Sequence, residues 1–138
     1  MSVEFCDTNV LAYAYDATIV YKNTRALALV ERIWASSEGA ISIQVLQELY
    51  VTLTRKVGAP LPMPEARGIV DDLRAWRVFQ PGADDVLRAI DVSSRWQVSF
   101  WDAMIIVAAQ RMNATVLWSE DLNDGQDYGG VVVRDPFR

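Results

Sequence analysis

The sequence predicts an α/β fold, a single domain over residues 1–138 with a central, mostly parallel sheet and helices on both faces. Three observations carry this. Short, largely apolar runs recur along the chain, the segments between them repeat apolar residues at helical spacing, and runs and segments alternate, which is the order that yields parallel pairing. The 138 residues are 51% hydrophobic and 22% charged, the length and composition of one folded domain with one core.

The first strand is Val3-Glu4-Phe5-Cys6, running into Asp7-Thr8-Asn9, the chemistry of a turn or helix cap. Asn9 to Tyr15 reads as a short helix and Tyr21 to Ser36 as a longer one, with Asn23 and Thr24 as caps and Leu27, Val30, Ile33 and Trp34 at helical spacing. Ser36-Ser37-Glu38-Gly39 stops it. Ala40 to Ile43 is the second strand, followed at once by a helix from Val45 to Lys56 with Val45, Leu46, Leu49, Tyr50 and Leu53 on its buried face. The proline-rich stretch from Gly58 to Pro64 links it to a helix over Glu65 to Trp76, with Ile69, Val70, Leu73 and Trp76 inward. Arg77 to Gln80 reads as an edge strand, Pro81-Gly82 as a turn, and Asp84 to Trp96 as a helix with Leu87, Ile90 and Trp96 on one side. Ser99 caps a helix to Asn113 that is apolar nearly all round. Thr115 to Trp118 is a buried strand; a polar, glycine-containing loop then leads to the last strand, Val131 to Val133.

Composition narrows the chemistry. The chain has no histidine, which removes Ser-His-Asp and Cys-His triads and the commonest transition-metal ligand. With one cysteine, Cys6, in an apolar run, there is no internal disulfide and no ordinary zinc site; a metal here is magnesium or manganese held by oxygen. The net charge of -5 argues against coating nucleic acid by bulk electrostatics but leaves nucleic acid open as a substrate, because bound cations reverse the field of a carboxylate cluster. No signal peptide is visible, and the longest central apolar run, Ala103 to Ala109, falls well short of the ~20 residues of a membrane span, so the expected location is cytoplasmic and the expected partners include no membrane.

Four acids share one kind of place. Asp7 closes the first strand, Glu48 lies in the early turns of the helix after the second, Asp102 opens the apolar helix, and Asp121 follows the Thr115 to Trp118 strand. In a parallel layout these positions fall on one edge of the sheet, where ligands bind. Clustered carboxylates repel, and divalent cations relieve the repulsion while orienting and acidifying a water for attack on phosphorus. Thr8, Asn9 and Ser119 are placed to orient ligands or water around them.

Asp7-Thr8-Asn9 after an apolar strand, Glu48 in Leu46-Gln47-Glu48-Leu49, Asp102 in Trp101-Asp102-Ala103, and Ser119-Glu120-Asp121-Leu122 followed by Asp135-Pro136-Phe137 resemble the PIN-domain family, most closely the VapC-type toxins of VapBC toxin-antitoxin pairs. The resemblance spans essentially the whole chain. It implies a hydrolase: an endoribonuclease dependent on Mg2+ or Mn2+, leaving a 5'-phosphate and a 3'-hydroxyl, held inactive by a cognate antitoxin protein and commonly a homodimer. It also implies that Asp7, Glu48, Asp102 and Asp121 bind the metal, with Asn9 and Ser119 in support.

Each acid taken alone has a plainer explanation. Asp7 is a favoured helix cap, Asp102 stands three residues after Ser99 at a capping-box-like spacing, and Glu48 is an ordinary solvated glutamate, within reach of Thr52. Asp121, Asn123 and Asp124 do not make a calcium loop, since glycine falls one place early and Val132 occupies the closing position. Arg55-Lys56 reads first as a helix C-terminal charge pair and second as a phosphate contact, and the five tryptophans read mainly as core, an exposed one being suited to stacking a base. Two other functions stay open. One is an aspartyl-nucleophile phosphatase, for which the second acid is replaced by Asn9 and the lysine is hard to place; the other is a non-catalytic domain whose acidic edge takes up a metal or a basic partner.

Overall fold

The computed structural model describes residues 2–138. Six strands form one sheet in the order β3-β2-β1-β4-β6-β5, with β1 (Val3–Cys6), β2 (Gly39–Ser42), β3 (Arg77–Phe79), β4 (Ala114–Trp118), β5 (Asp127–Tyr128) and β6 (Val131–Arg134). All neighbouring pairs are parallel except β5 with β6. The helices that cover the sheet are α1 (Thr8–Ala14), α2 (Val20–Ser36), α3 (Ile43–Val51), α4 (Met63–Leu73), α5 (Ala83–Trp96) and α6 (Phe100–Arg111), and α3 runs on into a π-helical turn, Thr52–Lys56. The mostly parallel α/β architecture expected from the sequence is the one observed, and Arg77–Phe79 is indeed an edge strand.

Strands β1 and β2 are the most deeply buried. Phe5 and Cys6 of β1, Leu117 of β4, and Ala40 and Ile41 of β2 are all inaccessible, packed with Val10, Leu11, Ile33, Val45, Leu49 and Ile106 from the helices. Burial of this apolar surface is the main stabilising term. Glu4, which points out of the apolar register of β1, is not left alone: it accepts two bonds from the Arg32 guanidinium at 2.8 and 2.9 Å and one from Trp118 Nε1 at 2.9 Å. The Arg32 contact holds its carboxyl below the usual range against the opposing effect of burial.

Several local readings are corrected. Asn23 does not cap α2, which starts at Val20; its amide instead donates to Tyr13 O at 2.9 Å and Ala14 O at 3.3 Å, tying α2 to the end of α1. Ile43 opens α3 under a Ser42 cap rather than ending β2. Leu87 and Ile90 face outward, because α5 buries Asp85 and Ala89 against α6 instead. Leu27 and Trp34 of α2 are likewise exposed. The glycine-containing loop holds the short strand β5, which was not expected from its polar sequence. At the end of α2 it is Ser37 that adopts the left-handed conformation, with φ of 60°, whereas Gly39 is needed for space: a Cβ there would lie 2.6 Å from the Trp76 ring and 2.8 Å from Ile33.

Two stability predictions follow from these contacts. Gly39→Ala is expected to destabilise the protein by about 1–3 kcal/mol through overpacking, read as a lower midpoint in urea with an unchanged slope. Asp85 is buried, accepts from Gly82 N at 2.9 Å and Arg88 at 3.1 Å and is ion-paired with Arg111 at 3.4 Å, and the Gly82 N–H, followed by the two arginines, holds its carboxyl below the usual range. A depressed acid contributes fully above its unfolded pKa, ~3.9, and that contribution disappears as pH falls through the lower folded value. Asp85→Ala should therefore cost about 1–2 kcal/mol at neutral pH, with the difference from wild type closing below about pH 4 in acid titrations of stability.

Candidate active site

The site is built where β1 and β4 end side by side. Their register pairs Cys6 with Trp118, and the ladder continues one step further as Asp7 N donates to Trp118 O at 2.9 Å. Asp7 and Ser119 therefore leave the sheet together. Ser119, itself inaccessible, donates its hydroxyl to Asp7 Oδ2 at 2.8 Å and accepts from Asp121 N at 3.2 Å. Asp7 also caps α1, its Oδ1 accepting from Thr8 N at 2.7 Å.

The next two residues reach the other acids. Thr8 Oγ1 donates to Glu48 Oε1 at 2.9 Å, joining α1 to α3. Asn9 Nδ2 donates to Asp121 Oδ2 at 2.9 Å and more distantly to Asp7 Oδ2 at 3.5 Å, while its Oδ1 accepts from Glu120 N at 3.3 Å. Asp102 stands in the first turn of α6, whose cap is formed as expected by Ser99 Oγ accepting from Asp102 N at 3.1 Å. Glu48 is not paired with Thr52; Gln44 Nε2 lies 3.4 Å from Glu48 Oε2 and also donates to Trp101 O at 3.2 Å.

Asp7, Glu48, Asp102 and Asp121 all line one open cleft of about 440 Å3, together with Thr8 and Asn9. Ser119 lies behind it, where it holds Asp7 rather than facing the cleft. Glu120 turns away and is tied to Lys22 at 2.8 Å, the ammonium also sitting 4.8 Å over the Tyr13 ring. Gln44, Gln47, Val51, Thr52, Lys56, Trp101 and Ile105 complete the lining; of these the sequence alone offers Lys56, as a second reading, and an exposed tryptophan without saying which. A four-residue step linking Gln44, Glu48, Thr52 and Lys56 was the available signal.

Electrostatically the cleft is one-sided. Among the described residues none of the four acids makes a salt bridge, and Lys56 is the one basic side chain in the lining. Burial pushes the Asp7 carboxyl up to about 7; the nearby charges of Asp121 and Glu48 add to this, while the Ser119 hydroxyl and the Thr8 N–H pull the other way. Burial also raises Asp102, again helped by Asp121 and Glu48 and opposed by Ser99. Carboxylates crowded without a cation are a donor set suited to a hard, oxygen-seeking ion. Among the described residues, no three acid or thiol side chains are gathered about one point closely enough to make a ligand shell by themselves.

A model of the PIN domain family matches residues 5–123. Among solved structures, a toxin-antitoxin complex from Klebsiella pneumoniae superposes with a TM-score of 0.71 at 20% identity, over 98% of this chain and 98% of that one. A DNA-bound VapBC from Salmonella typhimurium gives 0.68 at 17% identity, over 99% of each chain. VapC20 of Mycobacterium tuberculosis, a toxin that cleaves the sarcin-ricin loop, gives 0.63 at 22% identity, over 83% of this chain and 86% of that one. At these identities the likeness is one of fold. No curated protein sequence matches this chain.

The raised carboxyl of Asp7 gives a test of the site without any substrate. An acid whose folded pKa is raised binds protons more readily in the folded than in the unfolded state, so its ionisation destabilises the fold between pH ~4 and about 7 and above. In metal-free buffer Asp7→Asn, which keeps an acceptor for the Thr8 N–H and turns its NH2 toward the Ser119 hydroxyl oxygen, should melt at or above the wild-type temperature at pH 8, with the advantage shrinking as pH falls toward 4. A wild type that loses the same stability at both pH values on this substitution would contradict the assignment.

Proposed function

This chain belongs to the PIN-domain family, and from that premise we propose that it is a metal-dependent endoribonuclease, one PIN-like nuclease domain acting as the toxin of a toxin-antitoxin pair. The observation that carries the reading is the cleft itself: four carboxylates with no cationic partner at the carboxyl end of a parallel sheet, one of them buried and unwilling to ionise. Structural caps or solvated acids do not need to share one cavity. The solved relatives that are toxin-antitoxin complexes support a cognate antitoxin as the partner, and VapC20 supports RNA as the substrate class. A homodimer belongs to the same reading. No helix among the described residues is long and apolar enough to cross a membrane.

In this mechanism Asp7, Glu48, Asp102 and Asp121 would hold one or two Mg2+ or Mn2+ ions, and no more than two of the acids need approach a given ion, since magnesium keeps several waters. When bound, the metal supplies an acidified water for in-line attack on the phosphodiester and charge to offset the phosphate oxygens. The chain's own residues set the geometry. Ser119 and the Thr8 N–H fix one orientation of the Asp7 carboxylate, Thr8 Oγ1 fixes Glu48, and Asn9 spans Asp7 and Asp121. These donors stabilise the charged carboxylates without adding positive charge that would compete with a cation. The phosphatase reading is weaker, because Asn9 stands where its second acid is needed and is engaged with two carboxylates.

Cleavage of a mixed RNA pool by purified, partner-free protein tests the proposal. Cutting is expected with magnesium or manganese, none with excess chelator, and a loss on the order of 100-fold or more in Asp7→Asn and Asp102→Asn, which retain their folded far-UV spectra. A folded wild type that cuts no RNA under any of these conditions, yet binds metal or a basic partner, would transfer the assignment to a non-catalytic binding domain.

A further inference from the structure

The four acids account for only part of the cleft. Its lining also includes Trp101, Ile105 and Val51, an apolar surface that carboxylates holding a cation do not require. Trp101 and Ile105 are four apart at the start of α6 and so share a face, with Asp102 beside them. The indole of Trp101 is 63% exposed, while Trp76 of the core is 8% exposed. Phe100 packs edge-on with the indole, ring centroids 5.0 Å apart, and Gln44, which also reaches Glu48, holds the backbone by donating to the Trp101 carbonyl. A large aromatic face is thus presented to solvent from a fixed backbone, beside the acids. Lys56, at the end of the π-helical turn, also lines the cleft.

We propose that Trp101 is a base-stacking residue of the cleft: the indole takes the base of a nucleotide whose phosphate lies at the acids, and Lys56 meets a neighbouring phosphate. The inference rests on the nuclease reading and deepens it. A nucleotide is an anionic group tethered to a flat apolar one, and this cleft offers a site for each within one cavity. Stacking on a side chain needs a base free of its own partner, so the strand in the cleft is locally unpaired. An apolar side chain of a protein partner would use the indole without needing the adjacent acids or Lys56, which is why RNA is the occupant favoured here.

The test separates binding from cutting. In an Asp7→Asn background with magnesium present, the affinity for a short, unstructured RNA of mixed sequence is measured by fluorescence anisotropy, alone and annealed to its complement. Adding Trp101→Ala should weaken single-strand binding roughly tenfold or more, Trp101→Phe should keep most of it, and the duplex should bind no better than the single strand binds to the alanine variant. With Asp7 intact, Trp101→Ala should raise KM more than it lowers kcat. Unchanged single-strand affinity in Trp101→Ala, or an equal loss in the alanine and phenylalanine variants, overturns the stacking role while a wild type that still cuts leaves the nuclease standing. A wild type that neither binds nor cuts RNA removes the nuclease reading and this inference together, and leaves Trp101 as a protein contact.

Discussion

The parallel pairing of β1 with β4 is the constraint on which the rest of the arrangement depends. These two segments are separated by more than a hundred residues, yet their register delivers Asp7 and Ser119 to the sheet edge one hydrogen-bond step beyond Cys6 and Trp118. Phe5 and Cys6 point to opposite faces and are both inaccessible, so a one-residue slip would carry the flanking Glu4 or Asp7 into a core position and is disfavoured. Register is therefore fixed by burial, and the position of a carboxylate is fixed by register. Thr8 and Asn9 then follow directly in α1, and through them Glu48 and Asp121 are drawn in.

How the chain treats its other charges sharpens the contrast. Glu4 is clamped by Arg32, Glu38 meets Arg77 at 3.1 Å, Asp85 is shared by Arg88 and Arg111, and Glu120 takes Lys22. Each of these acids lies at a junction between elements and is neutralised locally. In the cleft the partners are hydroxyls, two side-chain amides and one backbone N–H, which orient carboxylates but leave their charge uncompensated. Such an arrangement lowers the stability of the free protein, as residues kept for function often do. The same acid type is stabilising in one place and strained in another, and the difference is whether a basic side chain stands beside it.

Much of this was legible in the sequence, for identifiable reasons. Strand-helix alternation follows from periodicity and breakers, and once parallel pairing is granted, strand ends and helix starts fall on one edge without further information. Asp7, Glu48, Asp102 and Asp121 could be picked out for that reason, and their common cleft is geometry that topology alone implied. The misses came where tertiary contact overrides local pattern. Leu87 and Ile90 look inward by hydrophobicity, but α5 rests on α6 through small Ala89 and the clustered arginines on Asp85, which turns its larger residues to solvent. Asn23 looks like a cap because its amide seeks backbone carbonyls; it finds them in a different helix. Ser119 was expected to support the site, but only the structure separates holding an acid from facing the cleft.

The wall of the cleft that runs from Gln44 to Lys56 could not have been drawn from a regular helix. At 3.6 residues per turn, each four-residue step over-rotates by about 40°, so a stripe begun at Gln44 and continued through Glu48 and Thr52 would have walked about 120° round by Lys56. Wider turns reverse that drift. From Thr52 the backbone bonds i to i+5, with Val57 N donating to Thr52 O at 3.2 Å, and Thr54 Oγ1 turns back to Tyr50 O at 2.8 Å. The residues of this stretch keep Leu53 inaccessible in the core while Thr52 and Lys56 stay on the cleft side with Gln44 and Glu48. Single π-helical turns occur often at functional sites, and here the physical reason is visible: one wider turn keeps an amide, a carboxylate, a hydroxyl and an ammonium in line along one wall. The core contact of Leu53 and the alignment of the wall are satisfied by the same distortion. A substitution that restored regular helix there would have to give up one of them.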